Sequence, residues 1–188
     1  MANAGTAVVE HRERSLGMTL KTMNVETSLI RLRELAFAIP RPGCDWEERP
    51  QFDSPPTPEF VEAASVAAGG QLPDDLLTYF QLCGRVIGMS IHNGYELCSA
   101  ADLVSKKYRR AVPPTLPGPS GPMPVVPIAW DGGGNAFVLS IPKGDVWRWD
   151  HETGVTRFVA PSFSHFLERV VADWEAYVAD TPGWRFLV

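Results

Sequence analysis

The sequence predicts an α+β fold in which a mostly antiparallel β-sheet meander packs with several α-helices. Across residues 124–151, apolar runs of strand length alternate with clusters of Gly, Pro, Asp and Asn. Glycines at such breaks supply the positive φ that tight hairpins need. Across residues 162–178, apolar residues recur every three or four positions, which indicates an amphipathic helix. The sheet needs helices to cover it, and earlier segments with helix-capping signals provide them.

Three helices are predicted before the sheet. The first spans residues 25–37, where leucine and alanine recur at helical spacing between charged residues. The second begins at Thr57, because threonine caps helices and the proline that follows suits the first helical position. Two glycines end this helix. The third is opened by Leu72-Pro73-Asp74-Asp75 on the same capping logic and closed by Gly84. Its leucine, phenylalanine and cysteine residues form a buried stripe.

The segments that flank the meander are patterned less clearly. Residues 86–91 predict one short strand, and residues 99–110 predict a helix whose start has the spacing of a capping box. The proline-dense residues 113–124 are expected to have no regular structure. Residues 182–188 carry aromatic and apolar side chains at alternate positions, which is typical of a final strand.

Two strands of the meander have distinct patterns. Residues 137–141 are apolar at nearly every position, which predicts a central strand buried on both faces. In the next strand Trp147 and Trp149 share one side, and Arg148 and Asp150 share the other. The tryptophan side is interpreted as core, although tryptophan is also enriched in binding hot spots. If it is core, Arg148 and Asp150 face outward and become candidates for contact with a partner.

The 188 residues fit one domain. We expect residues 1–24 to form a weakly ordered leader and residues 25–188 to form a single domain. Proline-rich insertions are expected within that domain at about residues 39–58 and 113–124.

Composition limits the classes of partner. With 17 basic and 22 acidic residues, the net charge is −5, which argues against sequence-independent binding to nucleic acid. The same charge suits a basic protein partner, because opposite potentials speed encounter. Three scattered cysteines imply no disulfide framework, so a reducing cytoplasm is the expected location. The sequence shows no segment of transmembrane length and no signal-peptide core, so no membrane association is expected.

The order of several motifs resembles the SUKH superfamily, and specifically its Smi/Knr-like family. The motifs lie within residues 57–178. The first is Leu72-Pro73-Asp74-Asp75 with Tyr79-Phe80, and the second is the hairpin Pro127-Ile128-Ala129-Trp130-Asp131-Gly132-Gly133-Gly134-Asn135. The strand Val146-Trp147-Arg148-Trp149-Asp150-His151-Glu152 follows, and then Ala160-Pro161-Ser162-Phe163 leading into Phe166-Leu167. The resemblance implies an antiparallel sheet packed with helices. It also implies a protein-binding role, since bacterial members are mainly toxin-immunity proteins and fungal members are scaffolds in cell-wall signalling. No common catalytic activity belongs to the family.

Three kinds of chemical site were weighed against structural explanations. Asp150, His151 and Glu152 are adjacent, but neighbours on a strand point to opposite faces, so adjacency alone does not make a catalytic pair. The four histidines and three cysteines lack the short spacings of zinc ligands. Residues 131–135 are glycine-rich but lead into a strand and contain no lysine, unlike a phosphate loop. We therefore expect no cofactor, no metal and no catalytic residue.

The leading hypothesis is a non-enzymatic immunity protein that binds a toxin domain. It depends on the family resemblance and on the acidic charge. The second hypothesis is a regulatory interaction scaffold without a toxin, and the third is an enzyme that uses Asp150 and His151 in a shared pocket. The candidate partner-binding residues are polar positions of the meander and an acidic flank on the third helix: Asp131, Asn135, Arg148, Asp150, Glu152, Asp74 and Asp75.

Overall fold

The computed structural model describes residues 23–38, 51–52, 54–70, 72–82, 86–87, 90–91, 95–105, 112–130, 133–185 and 187. The helices in these residues are α1 (Val25–Ala38), α2 (Pro58–Ala67), α3 (Asp74–Leu82), α4 (Ala100–Val104) and α5 (Phe163–Val178). The strands are β1 (Gln51–Phe52), β2 (Val86–Ile87), β3 (Ser90–Ile91), β4 (Tyr95–Leu97), β5 (Thr115–Gly118), β6 (Gly121–Trp130), β7 (Ala136–Ser140), β8 (Val146–Trp149) and β9 (Thr156–Ala160). No helix among these residues is long and apolar enough to cross a membrane.

The main sheet is an antiparallel meander. Its strands are ordered β3-β4-β6-β7-β8-β9, and β5 pairs with the first part of β6. Strands β1 and β2 form a separate antiparallel pair. Every pairing in the described residues is antiparallel, and the helices pack with this sheet. The fold is therefore α+β, as the sequence predicts.

The larger core lies between the helices and one face of the sheet, which we call the helix-covered face. Phe137 and Leu139 of β7 and Val146 of β8 are fully buried there. The rings of Phe137 and Phe166 on α5 are 5.1 Å apart, centroid to centroid. All five residues of β7 are buried, which confirms the predicted central strand.

A second, smaller core covers the opposite face of the sheet, which we call the outer face. Trp149 and Val138 pack there with Leu116 of β5. The hydroxyl of Thr156 on β9 donates to the carbonyl oxygen of Pro117, at 2.7 Å. Among the described residues, the β5–β6 hairpin therefore covers the outer face of the sheet.

Most helix boundaries follow the capping signals. Thr57 caps α2 by accepting the Phe60 N–H, and proline occupies the start of the helix. Ser99 and Asp102 form a reciprocal capping box at α4. Ser162 caps α5 through the N–H of His165. These contacts satisfy backbone donors that the first turn of a helix leaves unpaired.

Four predicted segments differ from the structure, and three of them precede the last helix. The proline-dense residues 113–124 form β5 and the start of β6, where Pro117 lies opposite Pro122. Proline is tolerated at a sheet margin because it lacks only a donor that such a position need not supply. Residues 86–91 hold two strands rather than one. Helix α4 ends at Val104, with residues 106–110 outside the described part.

The C-terminal residues are held by a buried carboxylate instead of forming the predicted strand. Trp184, Arg185 and Leu187 have no strand assignment. Asp173 of α5 is only 3% exposed. It accepts hydrogen bonds from the indole N–H of Trp184 and the backbone N–H of Leu187, each at 2.9 Å. The tail is thereby fixed against α5, with the Leu187 side chain in the main core.

Helix α1 lies along α5 in a parallel direction. The Met23 N–H donates to Glu168 Oε1 at 2.6 Å, and further along both helices Arg31 Nε donates to Glu175 Oε1 at 2.7 Å. The hydrogen bond to Glu175, and then the one to Glu34, raise the pKa of Arg31. Residues 1–22 and 39–50 lie outside the described residues, so the predicted leader and most of the first proline-rich insertion stay predictions.

Candidate protein-interaction surface

Two connections lie side by side at one end of the sheet. Residues 131–135 join β6 to β7, and residues 150–155 join β8 to β9. They are neighbours because Ala136 at the start of β7 pairs with Trp149 at the end of β8. Four predicted contact residues lie here, and we call them the loop-end surface: Asn135, Arg148, Asp150 and Glu152. Asp131 is outside the described residues.

Asn135 holds the two connections together through its contacts with His151. Its Oδ1 accepts the backbone N–H of His151 at 3.1 Å and lies 3.0 Å from His151 Nδ1. The tautomer that carries a proton on Nδ1 donates a second hydrogen bond to the same oxygen. Gly134 makes this approach possible, because it has φ +113° and its missing Cβ would lie 2.8 Å from His151 Cγ. The surface is therefore ordered before any partner arrives.

Replacing Gly134 by alanine is expected to lower the free energy of unfolding by about 2–4 kcal/mol. The change adds backbone strain, about 1–3 kcal/mol at a positive φ, to a collision with the imidazole ring. Gly154→Ala is the matched control, because Gly154 also has positive φ (+69°) but nothing lies within 4 Å of its added Cβ. Urea unfolding measures both variants. Equal losses would show that His151 does not constrain Gly134.

Asp150 shapes the β8–β9 connection. Its Oδ1 accepts the backbone N–H groups of Glu152 at 3.0 Å and Thr153 at 2.9 Å. The hydrogen bond from the Thr153 backbone is the main cause that lowers the pKa of Asp150, and the charge of Arg148 adds to it. The carboxylate form is favoured because these donors stabilise negative charge. The turn presents Glu152 to solvent, where its side chain is exposed.

A small cleft lies at this end, among the described residues. Arg148, Asp150, Thr153, Val155 and Arg157 line it, and its volume is about 130 Å³. Small-molecule sites typically measure roughly 300–1,000 Å³, so the cleft fits a side chain better than a substrate.

Among the described residues, the cleft beside Asp150 is not the shared pocket that an Asp150–His151 enzyme requires. Asp150 lines the cleft but His151 does not. His151 is exposed, and its ring nitrogen faces Asn135. Among the described residues, no group of three or more His, Cys, Asp or Glu side chains is arranged to hold a metal.

The predicted acidic flank lies at the opposite end of the sheet. Gly144, in the β7–β8 connection, lies beside Pro73, which would contact an added Cβ at 3.2 Å. Asp75 Oδ2 accepts the backbone N–H of Ser164 at 2.8 Å and its hydroxyl at 3.1 Å. Asp75 thus joins α3 to the first turn of α5, while Asp74 is exposed. The predicted contact residues that the structure describes therefore form two separate groups, one at each end of the sheet.

An exposed aromatic residue at the sheet margin was missed by sequence reasoning. Phe158 of β9 is 56% exposed and pairs across the strands with Trp147. Their rings are 5.5 Å apart in an edge-on arrangement. The alternation of Thr156, Arg157 and Phe158 was the available signal. Trp149 is buried and Trp147 half-buried on the outer face, so the tryptophan side of β8 belongs to the second core.

A comparison with known families matches residues 55–169 to the SMI1/KNR4 family (SUKH-1). The matched segment begins before α2, contains the whole main sheet and ends within α5. A comparison with curated proteins found no significant match. Because the family match covers more than half of the chain, this protein belongs to the SMI1/KNR4 family, also called SUKH-1.

Proposed function

We propose that this chain is a non-enzymatic immunity protein that binds a cognate bacterial toxin and neutralises it. The observation that carries the proposal is family membership across residues 55–169, because bacterial members of the family act mainly in this way. Neutralisation by binding needs an ordered surface that covers the toxin, and it needs no catalytic group.

The loop-end surface supports the proposal as a place for such binding. Its loops are fastened by Asn135 and His151 and shaped by Asp150, so little ordering entropy is lost when a partner docks. Arg148, Asp150 and Glu152 give this surface charges of both signs, which favours a partner with a complementary arrangement. The overall charge of −5 favours encounter with a basic toxin domain.

The proposal places the protein in the cytoplasm, where an immunity protein meets toxin that has entered the cell. Cys98 is buried and belongs to no disulfide among the described residues, which is compatible with a reducing compartment. The second candidate is a regulatory interaction scaffold, as in fungal members of the family. It shares the fold and the surface, and differs only in the partner.

The test is rescue of growth. The protein encoded beside this gene is produced in a naive host, alone and together with this chain, and the two are co-purified. We expect growth arrest by the neighbour alone, recovery with this chain, and a stable complex. Growth arrest that this chain does not relieve, or a toxic neighbour that forms no complex with it, would contradict immunity by binding.

A charge reversal locates the interface in the same assay. Glu152→Lys is expected to weaken the complex at least tenfold, because it reverses an exposed charge on the loop-end surface. Glu62→Lys is the matched control, since Glu62 is also exposed but lies on α2, which packs against α3 and α4. Equal binding by both variants would exclude the loop-end surface and leave the immunity function standing.

A further inference from the structure

Strand β9 is the terminal strand of the main sheet in the described residues. The Asp150 N–H donates to the Val155 carbonyl oxygen at 3.0 Å, which makes these two residues a hydrogen-bonded pair. Such pairs alternate along an antiparallel ladder, so the backbone groups of Thr156 and Phe158 point away from β8. Further along, Arg169 of α5 donates to the Val159 carbonyl oxygen at 2.8 Å. Within the part of the chain that the structure describes, the open edge is therefore residues 156–158.

The side chains at this edge continue two rows that cross the sheet. On the helix-covered face, Arg148 lies directly opposite Arg157. Like charges in this position repel, and Arg157 is exposed with no ion pair to a described residue. On the outer face, Trp147 lies opposite Phe158, and the far side of the Phe158 ring is open to solvent. A further strand could supply a counter-charge to Arg157 and cover the exposed ring of Phe158.

Charge is distributed unevenly around the molecule. Of the seven arginine and lysine residues that the structure describes, three lie at this edge: Arg148, Arg157 and Arg169. The chain as a whole has an excess of acidic residues. Charged side chains on an edge strand discourage unspecific pairing. Here they would also select a strand of opposite charge.

We propose that an extended segment of the partner protein adds to β9 as a further strand. One acidic side chain of that segment lies beside Arg157, and the apolar side chain next to it in sequence covers Phe158. Backbone hydrogen bonds to Thr156 and Phe158 supply affinity, and the two side chains supply specificity, as in other cases of strand addition. This proposal rests on the proposed function and specifies how the partner is held, at the margin next to the loop-end surface.

A second copy of the chain fits this edge poorly. The β9 sequence, Thr156–Ala160, contains no acidic residue that could face Arg157. A self-paired edge would bring further arginines together without a counter-charge. The partner segment is therefore a foreign one, acidic locally even where the rest of the toxin is basic.

The test uses synthetic peptides and the full chain, so it needs no toxin. An acetylated hexapeptide of alternating glutamate and valine is titrated while backbone amide resonances are followed by NMR. We expect saturable shifts at the amides of Thr156 and Phe158, and at least tenfold weaker binding of the lysine–valine counterpart. Equal binding of the two peptides, shifts confined to other strands, or self-association through β9 would each overturn the proposal.

Reversing the charge of Arg157 gives a second test of the proposal. Arg157→Glu is expected to reverse the preference, so that the lysine–valine peptide binds at least tenfold more tightly than the glutamate–valine peptide. Arg185→Glu is the control, because it makes the same change at an exposed residue of the C-terminal tail. In the rescue assay, a toxin complex unaffected by Arg157→Glu would reject strand addition but not immunity. If the rescue assay finds no toxin but the glutamate–valine peptide still binds at β9 as expected, immunity would be rejected and strand addition would stand.

Discussion

Replacing Phe137 by alanine is expected to lower the free energy of unfolding by about 3–5 kcal/mol, the range for truncating a buried phenylalanine. Phe137 is fully buried on the central strand, and its ring packs against Phe166 at a centroid distance of 5.1 Å. The void would lie between the sheet and α5, where neither element can collapse without breaking its own hydrogen bonds. Urea unfolding at neutral pH measures the loss.

Phe158→Ala is the matched control for this prediction. It removes the same atoms from the edge strand, where the ring is 56% exposed and most of its transfer free energy is not gained on folding. We expect a loss of about 1 kcal/mol or less. If the two variants were equally destabilised, the interface between the central strand and α5 would not be the principal core.

Replacing Asp173 by alanine is expected to cost about 3 kcal/mol of unfolding free energy. The carboxylate is 3% exposed and accepts two hydrogen bonds, from Trp184 Nε1 and from the Leu187 N–H. Hydrogen bonds to a charged group contribute about 1.5–3 kcal/mol each, and a buried donor left without an acceptor adds its own penalty. The tail should also detach, which tryptophan fluorescence would report through greater exposure of Trp184.

The control lies two residues further along the same helix. Glu175→Ala, also on α5, removes an exposed ion pair with Arg31, and such pairs contribute about 0–1 kcal/mol. Fluorescence of Trp184 should then remain unchanged. A loss at Asp173 no larger than the loss at Glu175 would mean that the C-terminal tail does not contribute to the fold.

The elements that sequence reasoning predicted are those determined by local chemistry. Thr57 and Ser162 cap their helices through contacts within one turn, so the signal and the structure occupy the same few residues. The central strand was predictable because β7 is buried on both faces, which favours apolar residues at nearly every position. The buried Ser140 at its end is the exception, and its hydroxyl pairs with Asp145. The family motifs were recognisable for the same reason, since they combine caps, turns and buried strands.

The features that sequence reasoning did not predict depend on contacts between segments that are distant in the sequence. Prolines in residues 113–124 suggested an irregular connection, because the sequence does not show that Pro117 would lie opposite Pro122 at a sheet margin. Asp75 looked like an acidic surface residue, yet its partner Ser164 is distant in sequence. The sequence also does not show that the candidate residues divide between two ends of the sheet. Strand order and direction determine that division.

Because α1 packs along α5, the part of the chain that folds on its own is longer than the part that identifies the family. The segment 55–169 by which the family is recognised excludes α1 and the second half of α5. Leu32 and Leu35 of α1 and Val170 of α5 are nevertheless buried in the main core. The matched segment thus contains the main sheet, while part of the sheet's hydrophobic cover comes from flanking sequence. A polypeptide trimmed to the recognisable segment would have an incomplete interior.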